Sequence, residues 1–252
     1  MIVLNDLLDY NNLKIYQNDD YFSFSLDSIL LPNFVTVRTR TKKILDLGTG
    51  NAPIPLIFSC LYKNVDIYAV ELQSKIYELA KNSIEFNNLQ DRITLINDDI
   101  KNLNKYFEIN SFDVIVSNPP YFKVNDKSNT NEIIEKTIAR HELKITLDEI
   151  VKSASIFLKN NGVFAMVHRT DRLIEIIETF KRYNIEPKRI RLVYPKNGEE
   201  SNIVLIEGTK NGSTGLKFLP PLIVHYNNGD YTEEVKRMFK GDDLSETNSG
   251  TR

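Results

Sequence analysis

A chain of 252 residues, 41% hydrophobic and 26% charged, can bury a full core, which excludes a low-complexity or disordered protein. Its net charge of -2 excludes a general attraction to nucleic acid, so any such contact has to be local. The one cysteine, Cys60 in the apolar run IPLIFSCLY, excludes an internal disulfide and a cysteine-built zinc site and reads as a buried thiol.

The opening MIVLNDLLDY meets acidic residues at once, and no later run reaches the roughly 18 apolar residues that span a bilayer. A cytoplasmic chain that avoids membranes is therefore expected. From residue 43 onward, short apolar runs alternate with longer amphipathic ones. Strands are predicted at 43–47, 65–70, 92–96, 112–117, 162–167, 189–194 and 202–207. Helices are predicted at 54–62, 74–88 (Ser74 as N-cap), 146–159 (Thr146 and Glu149 as a capping box) and 171–184. This is an α/β pattern: a doubly wound, mostly parallel, seven-stranded Rossmann-like sheet. The link PKNGEES is too short for a parallel crossover, so the last strand should be antiparallel. Residues 123–131 (KVNDKSNTN) have no periodicity and read as a mobile loop. Residues 1–240 then form one domain, with an N-terminal extension (1–42), a C-terminal appendage (209–240) and a disordered tail (241–252).

The first strand runs into ILDLGTGNAPIPL, a turn holding Asp46, Gly48, Gly50 and Asn51. Glycines there allow positive φ and close approach of backbone to a ligand. A dinucleotide fingerprint needs a third small residue at position 53, which is Pro53, so NAD and FAD are disfavoured. Glu71 ends the second strand, where an acid would bind both hydroxyls of a ribose. A ribose without pyrophosphate points to S-adenosyl-L-methionine. Asp98 and Asp99 close the third strand, where a carboxylate can accept from an adenine amino group. Asp99 is favoured because an apolar residue follows it, and a helix-cap role for Asp98 stands beside that reading.

The fourth strand ends in FDVIVSNPPYF. Prolines cannot continue a strand ladder, so the chain leaves the sheet at Asn118, at the carboxyl end where open α/β sheets keep their ligands. The lone pair of an exocyclic amine is delocalised into its ring and must be localised before it attacks. The Asn118 amide oxygen and the Pro119 carbonyl are placed to accept its two N–H bonds. Pro120 would hold these acceptors rigid, and Tyr121 would stack on a flipped base, worth ~1–3 kcal/mol. The same logic serves a glutamine side-chain amide as acceptor, and a non-catalytic RNA-binding subunit is a further alternative.

With DLGTGNA and NPPY, the chain resembles the class I methyltransferases that act on amino groups. More narrowly it is similar to the bacterial tRNA1(Val) adenine-37 N6-methyltransferases, in FSFSLDSILLPNF (22–34), ARHELKITLDEI (139–150) and GLKFLPPLIVHYNNGDYTEEVKRMF (215–239). The resemblance covers all but the tail. It implies N6-methylation of adenosine in a tRNA anticodon loop, with Gly48, Gly50, Glu71 and Asp99 on the cofactor and Asn118 to Tyr121 on the base. It also implies that Phe24, Ser25 and Asp27 cover the cofactor's methionine end. Ala52 departs from the glycine often found there, and a positive φ at it would be strained.

Residues 181–196 hold six basic residues and one acid. From these Lys188, Arg189 and Arg191 are candidate phosphate contacts, against a plain solvated strand edge. Three scattered histidines offer no metal site.

Overall fold

The computed structural model describes residues 1–7, 12–18, 25–119 and 145–241. An antiparallel hairpin opens the chain, β1 (Ile2–Asp6) with β2 (Lys14–Asn18), followed by α1 (Asp27–Phe34). The parallel core comprises β3 (Lys43–Leu47), β4 (Asp66–Glu71), β5 (Ile93–Asn97), β6 (Phe112–Ser117) and β7 (Leu158–Arg169). Between the strands lie α2 (Pro53–Leu61), α3 (Ser74–Phe86), a 3-10 turn (Ile100–Lys105) and α4 (Leu147–Phe157). Then come α5 (Leu173–Arg182), β8 (Ile185–Lys196), β9 (Ile203–Lys210), two short strands, β10 (Lys217–Phe218) and β11 (Leu222–His225), and α6 (Glu233–Lys240).

The main sheet runs β10-β8-β9-β7-β6-β3-β4-β5, with β11 also on the outer edge of β8. β9 is antiparallel to both of its neighbours, β7 and β8, as the short link requires. The sheet has nine strands rather than seven. The two additional strands come from the appendage, which binds successive parts of the β8 edge: Lys217 opposite Arg189, then Leu222 opposite Val193. They are too short to show an alternation in sequence.

Alternation along the strands divides the core between two faces. Ile44, Val114 and Val116 pack with Leu30, Leu56 and Phe58 of α1 and α2 on one face. Leu45 and Ile115 pack with Ile150 and Val151 of α4 and Phe180 of α5 on the other. Two prolines are tolerated in α2 because Pro53 and Pro55 lie in its first turn, whose N–H groups need no intrahelical partner. The capping box of α4 forms as expected: Thr146 Oγ1 accepts from the Glu149 N–H at 3.2 Å, and Glu149 Oε2 from the Thr146 N–H at 2.8 Å. Ser74 does not cap α3. Gln73 occupies that place, and the Ser74 hydroxyl instead donates to Asn97 Oδ1 at 2.8 Å. Cys60 is only partly buried.

Candidate active site

The turn after β3 is tied to the next strand by its own backbone. The N–H groups of Gly48 and Thr49 both donate to the Val70 carbonyl, at 3.0 and 2.9 Å. Gly48 and Gly50 have φ of 73° and 62°, and a Cβ at either would meet open space. Conformation, not crowding, therefore requires glycine at both. Ala52 does adopt the left-handed conformation, φ 69° and ψ 35°, while fully buried. That conformation costs an L-residue about 1–2 kcal/mol.

Glu71 and Gly50, 21 residues apart, meet directly: the Gly50 N–H donates to Glu71 Oε2 at 2.9 Å. The Gln73 N–H holds Oε1 at 2.9 Å. Burial raises the Glu71 pKa, and these backbone bonds counter part of that. Each oxygen retains a further lone pair for a hydroxyl. Asn97, at the end of β5, donates to the Glu71 carbonyl at 2.8 Å and so braces this corner.

Asp46 lies fully buried on β3, and neither of its carboxylate oxygens has a hydrogen-bond partner. Burial pushes its pKa up to about 7. The Thr49 hydroxyl lowers it somewhat while closing no geometric hydrogen bond, and Oγ1 is likewise buried without a partner. Buried polar atoms are nearly always satisfied, so these acceptors call for donors from a bound molecule. An ammonium or hydroxyl would answer both, which fits S-adenosyl-L-methionine at this turn.

Other candidates serve the fold first. Asn51 Nδ2 donates to the Tyr16 carbonyl at 2.9 Å, mooring the N-terminal hairpin to the glycine turn. Asp98 accepts from Asn102 (2.7 Å), the Asp99 N–H (2.7 Å), Tyr106 (2.9 Å) and Lys105 (3.3 Å). Led by the Asn102 amide, these hold its carboxyl far below the usual range. Its acceptors are thus used within the turn, although the residue at the N-cap is Asp99. Asp99 caps the same 3-10 turn through the Lys101 N–H at 2.9 Å and pairs with Lys101 Nζ at 3.1 Å.

β6 is moored near both ends. At its foot Asp113 accepts from the Lys42 and Lys43 N–H groups, at 2.9 and 3.0 Å, and from Lys159 Nζ at 2.7 Å. At its head the Ser117 hydroxyl donates to the Leu47 carbonyl at 2.8 Å. Asn118 follows, half-buried, with its amide nitrogen donating to Ser28 Oγ on α1 at 3.2 Å. Ser28 is itself buried, and its N–H donates to the carbonyl of exposed Ser25 at 3.0 Å. Asp27 begins α1 and is half-buried. Pro119 is buried, while Pro120, Tyr121, Phe24, the loop 123–131 and the tail from 242 lie outside the described residues.

The three basic candidates each have a partner within the fold. Arg189 Nη1 pairs with Glu207 Oε1 at 3.0 Å, and its guanidinium lies 5.0 Å from the Phe34 ring centroid. Arg191 donates to the Pro220 carbonyl at 3.0 Å and pairs with Glu234 at 2.8 Å, locking the appendage to β8. Lys188 donates to the Ser213 carbonyl. Sequence reasoning also missed Ser28, Thr49, Asn97 and Ser117. Ser28 lies one residue beyond Asp27, in a segment already singled out, but nothing in the sequence pairs it with Asn118.

Among the described residues no group of three or more potential metal ligands occurs, and no helix is long and apolar enough to cross a membrane. A glycine turn after β3, an acid ending β4 and Asn-Pro ending β6 share the carboxyl edge of a sheet whose antiparallel β9 is flanked by β7 and β8. That combination marks the Rossmann-like methyltransferase class. The chain belongs to the methyltransferase small domain family, whose model matches residues 23–187.

Two relatives, from Bacteroides thetaiotaomicron and Porphyromonas gingivalis ATCC 33277, are 26% and 28% identical to it. The first aligns over 94% of this chain and 96% of its own length, the second over 92% and 93%. Both are named tRNA1(Val) (adenine(37)-N6)-methyltransferase. In fold the chain is similar to a predicted O-methyltransferase from Agrobacterium tumefaciens, with TM-score 0.70 and 20% identity over 85% of this chain and 96% of that one. It is also similar to Pyrococcus horikoshii TYW2 in complex with MeSAdo, with TM-score 0.57 and 14% identity over 84% and 72%.

Proposed function

We propose that this methyltransferase acts on N6 of an adenosine in tRNA, with position 37 of tRNA1(Val) as its target and S-adenosyl-L-methionine as methyl donor. The observation that carries the reading is Asn118-Pro119 at the end of β6, beside the glycine turn, with the Asn118 amide nitrogen turned to Ser28. An amide oxygen is an acceptor, which is what the N–H bonds of an incoming amine require. The names of full-length relatives support the choice of tRNA and of the target base.

In this reading Gly48, Gly50 and Glu71 hold the cofactor's nucleoside, with Asp99 at its adenine. Asp46 and Thr49 meet its amino-acid end under Ser25, Asp27 and Phe24. The cofactor supplies a methyl group activated on a sulfonium. The Asn118 oxygen and the Pro119 carbonyl accept the two N–H bonds of the adenine amine, drawing its lone pair out of the ring and toward the methyl. The proton leaves only after the nitrogen has become cationic, so no strong base has to act first. Pro120 stiffens the acceptors and Tyr121 stacks on the flipped base.

The test is mass spectrometry of nucleosides from unmodified tRNA incubated with protein and cofactor. N6-methyladenosine at position 37 is expected. Methylation at another atom, or label appearing in protein and not in tRNA, would overturn the reading.

A further inference from the structure

Beyond Arg189 and Arg191, which pair with Glu207 and Glu234, the described residues hold a second electropositive surface. The segment TVRTRTKK, residues 36–43, carries Arg38, Arg40, Lys42 and Lys43 without an acid, in a chain of net charge -2. It leads into the amino end of β3 and forms one wall of a cleft of about 270 Å³. The opposite wall is Lys159 to Gly162, where β7 begins. Three cations line the cleft, Arg38, Arg40 and Lys159, and one carboxylate, Asp113.

That carboxylate already accepts three hydrogen bonds within the fold. One oxygen takes Lys159 Nζ at 2.7 Å, and the other takes the Lys42 and Lys43 backbone N–H groups at 2.9 and 3.0 Å. Asp113 is accordingly held below its ordinary pKa, and its charge is balanced by Lys159 alone. The two arginines are left in excess. Arg38 is aimed by the Asn161 carbonyl, which takes one Nη1 hydrogen at 2.9 Å. Arg38 is exposed, and a guanidinium carries four further N–H donors in a planar fork. Arg40 is exposed and has no side-chain partner among the described residues. Glu207, behind Thr36, adds no net negative charge because Arg189 pairs with it.

Resting on the tRNA reading above, we propose that this cleft holds backbone phosphates of the substrate RNA, outside the loop that enters the active site. An anchored arginine fork, a second free arginine and nearby lysines suit a phosphodiester, which needs positive charge and N–H donors but no base-specific shape. The five residue steps from Asp113 to Asn118 span roughly 17 Å along β6. One RNA stem-loop can therefore reach the cleft while its loop lies at the carboxyl edge.

The test uses the full chain with Arg40→Gln, and with Arg40→Gln/Lys42→Gln, both at exposed side chains away from Asn118 and the glycine turn. Binding of full-length tRNA and of a loop-only oligonucleotide is measured by fluorescence anisotropy over a salt series. Full-length tRNA should bind about 3–10-fold more weakly, and its log-log salt slope should flatten by about 0.7–0.9 per lost contact. The oligonucleotide's affinity should not move. Methyl transfer should show a raised KM for tRNA with kcat unchanged, and Arg40→Lys should restore KM. An unchanged slope and KM would remove the cleft from the interface while leaving the proposed reaction standing. An equal loss for the oligonucleotide would overturn the placement outside the loop. If wild-type protein methylates no tRNA, the reaction falls on that result, and the salt slope still decides the cleft.

Discussion

Ser28 and Asn118, 90 residues apart in the chain, meet at 3.2 Å with the serine oxygen accepting from the asparagine amide. That bond ties the Asn118 side chain to α1. Without it the amide is held less firmly where an incoming amine would meet it. A neutral hydrogen bond is worth about 0.5–1.5 kcal/mol, so Ser28→Ala should lower kcat by about 2–10-fold. The Kd for S-adenosyl-L-methionine by calorimetry should stay within about twofold. A parallel fall in cofactor affinity would show that Ser28 supports the pocket rather than the amide.

Asn118→Ala removes the acceptor itself. By analogy with deletion of a single transition-state hydrogen-bonding group, methyl transfer should fall by at least about 10²–10³-fold. Cofactor binding should be nearly intact, because the glycine turn and Glu71 do not lean on Asn118. Single-turnover transfer at saturating cofactor measures this, and retained turnover would sink the proposed mechanism.

Asp46 makes ligand-free stability depend on pH. Burial raises its folded-state pKa from the ordinary 3.8 to about 7, so the folded chain keeps a proton that the unfolded chain releases. Its contribution is fully present below about pH 4 and is lost as pH rises through about 7. Glu71, raised for the same reason, acts in the same direction. Asp46→Asn should therefore raise the Tm of the ligand-free protein at pH 8, by the equivalent of about 1–3 kcal/mol, and change it little at pH 5. The same variant should bind S-adenosyl-L-methionine more weakly at pH 8, since a carboxylate that answers an ammonium is gone. Thermal unfolding with and without cofactor separates the two effects.

Arg189 separates a structural role from an RNA contact in the basic stripe. Its loss strands Glu207, which is 5% exposed, as an unpaired buried charge. Arg189→Ala should destabilise the fold by about 3–5 kcal/mol in urea titration, and adding Glu207→Gln should recover most of that. A flattened salt slope for tRNA in a still-folded Arg189 variant would return this residue to the interface.

What the sequence made legible follows from how far each signal reaches. Residues 43–47 and 112–117 were bounded correctly by local composition, because a buried parallel strand is a continuous apolar run that ends at glycine or proline. β8 starts before 189 because its ladder with β9 runs from Ile185 past a bulge at Pro187, and β7 runs past 167 because His168 and Arg169 pair with Val204 and Ile203. The acid at 71 and the glycine at 50 were paired by spacing, and they do touch. The acidic partners of Arg189 and Arg191 were not legible, because a basic residue in a strand does not announce a partner 18 or 43 positions later. Ser28 escaped for the same reason over a longer reach.

The position of β9 also dictates an order of assembly. β8 is made first, yet within the sheet it reaches β7 only through β9, which has to enter between them. Until synthesis passes residue 210, β7 presents a long apolar edge with unpaired backbone groups. β6, which precedes the candidate catalytic asparagine, pairs with a strand made about 70 residues before it. Pairings of such sequence separation form slowly, and an open edge invites the wrong neighbour meanwhile. Truncation within β9 should thus produce an aggregating chain rather than a smaller working one, although every residue proposed for chemistry would still be present.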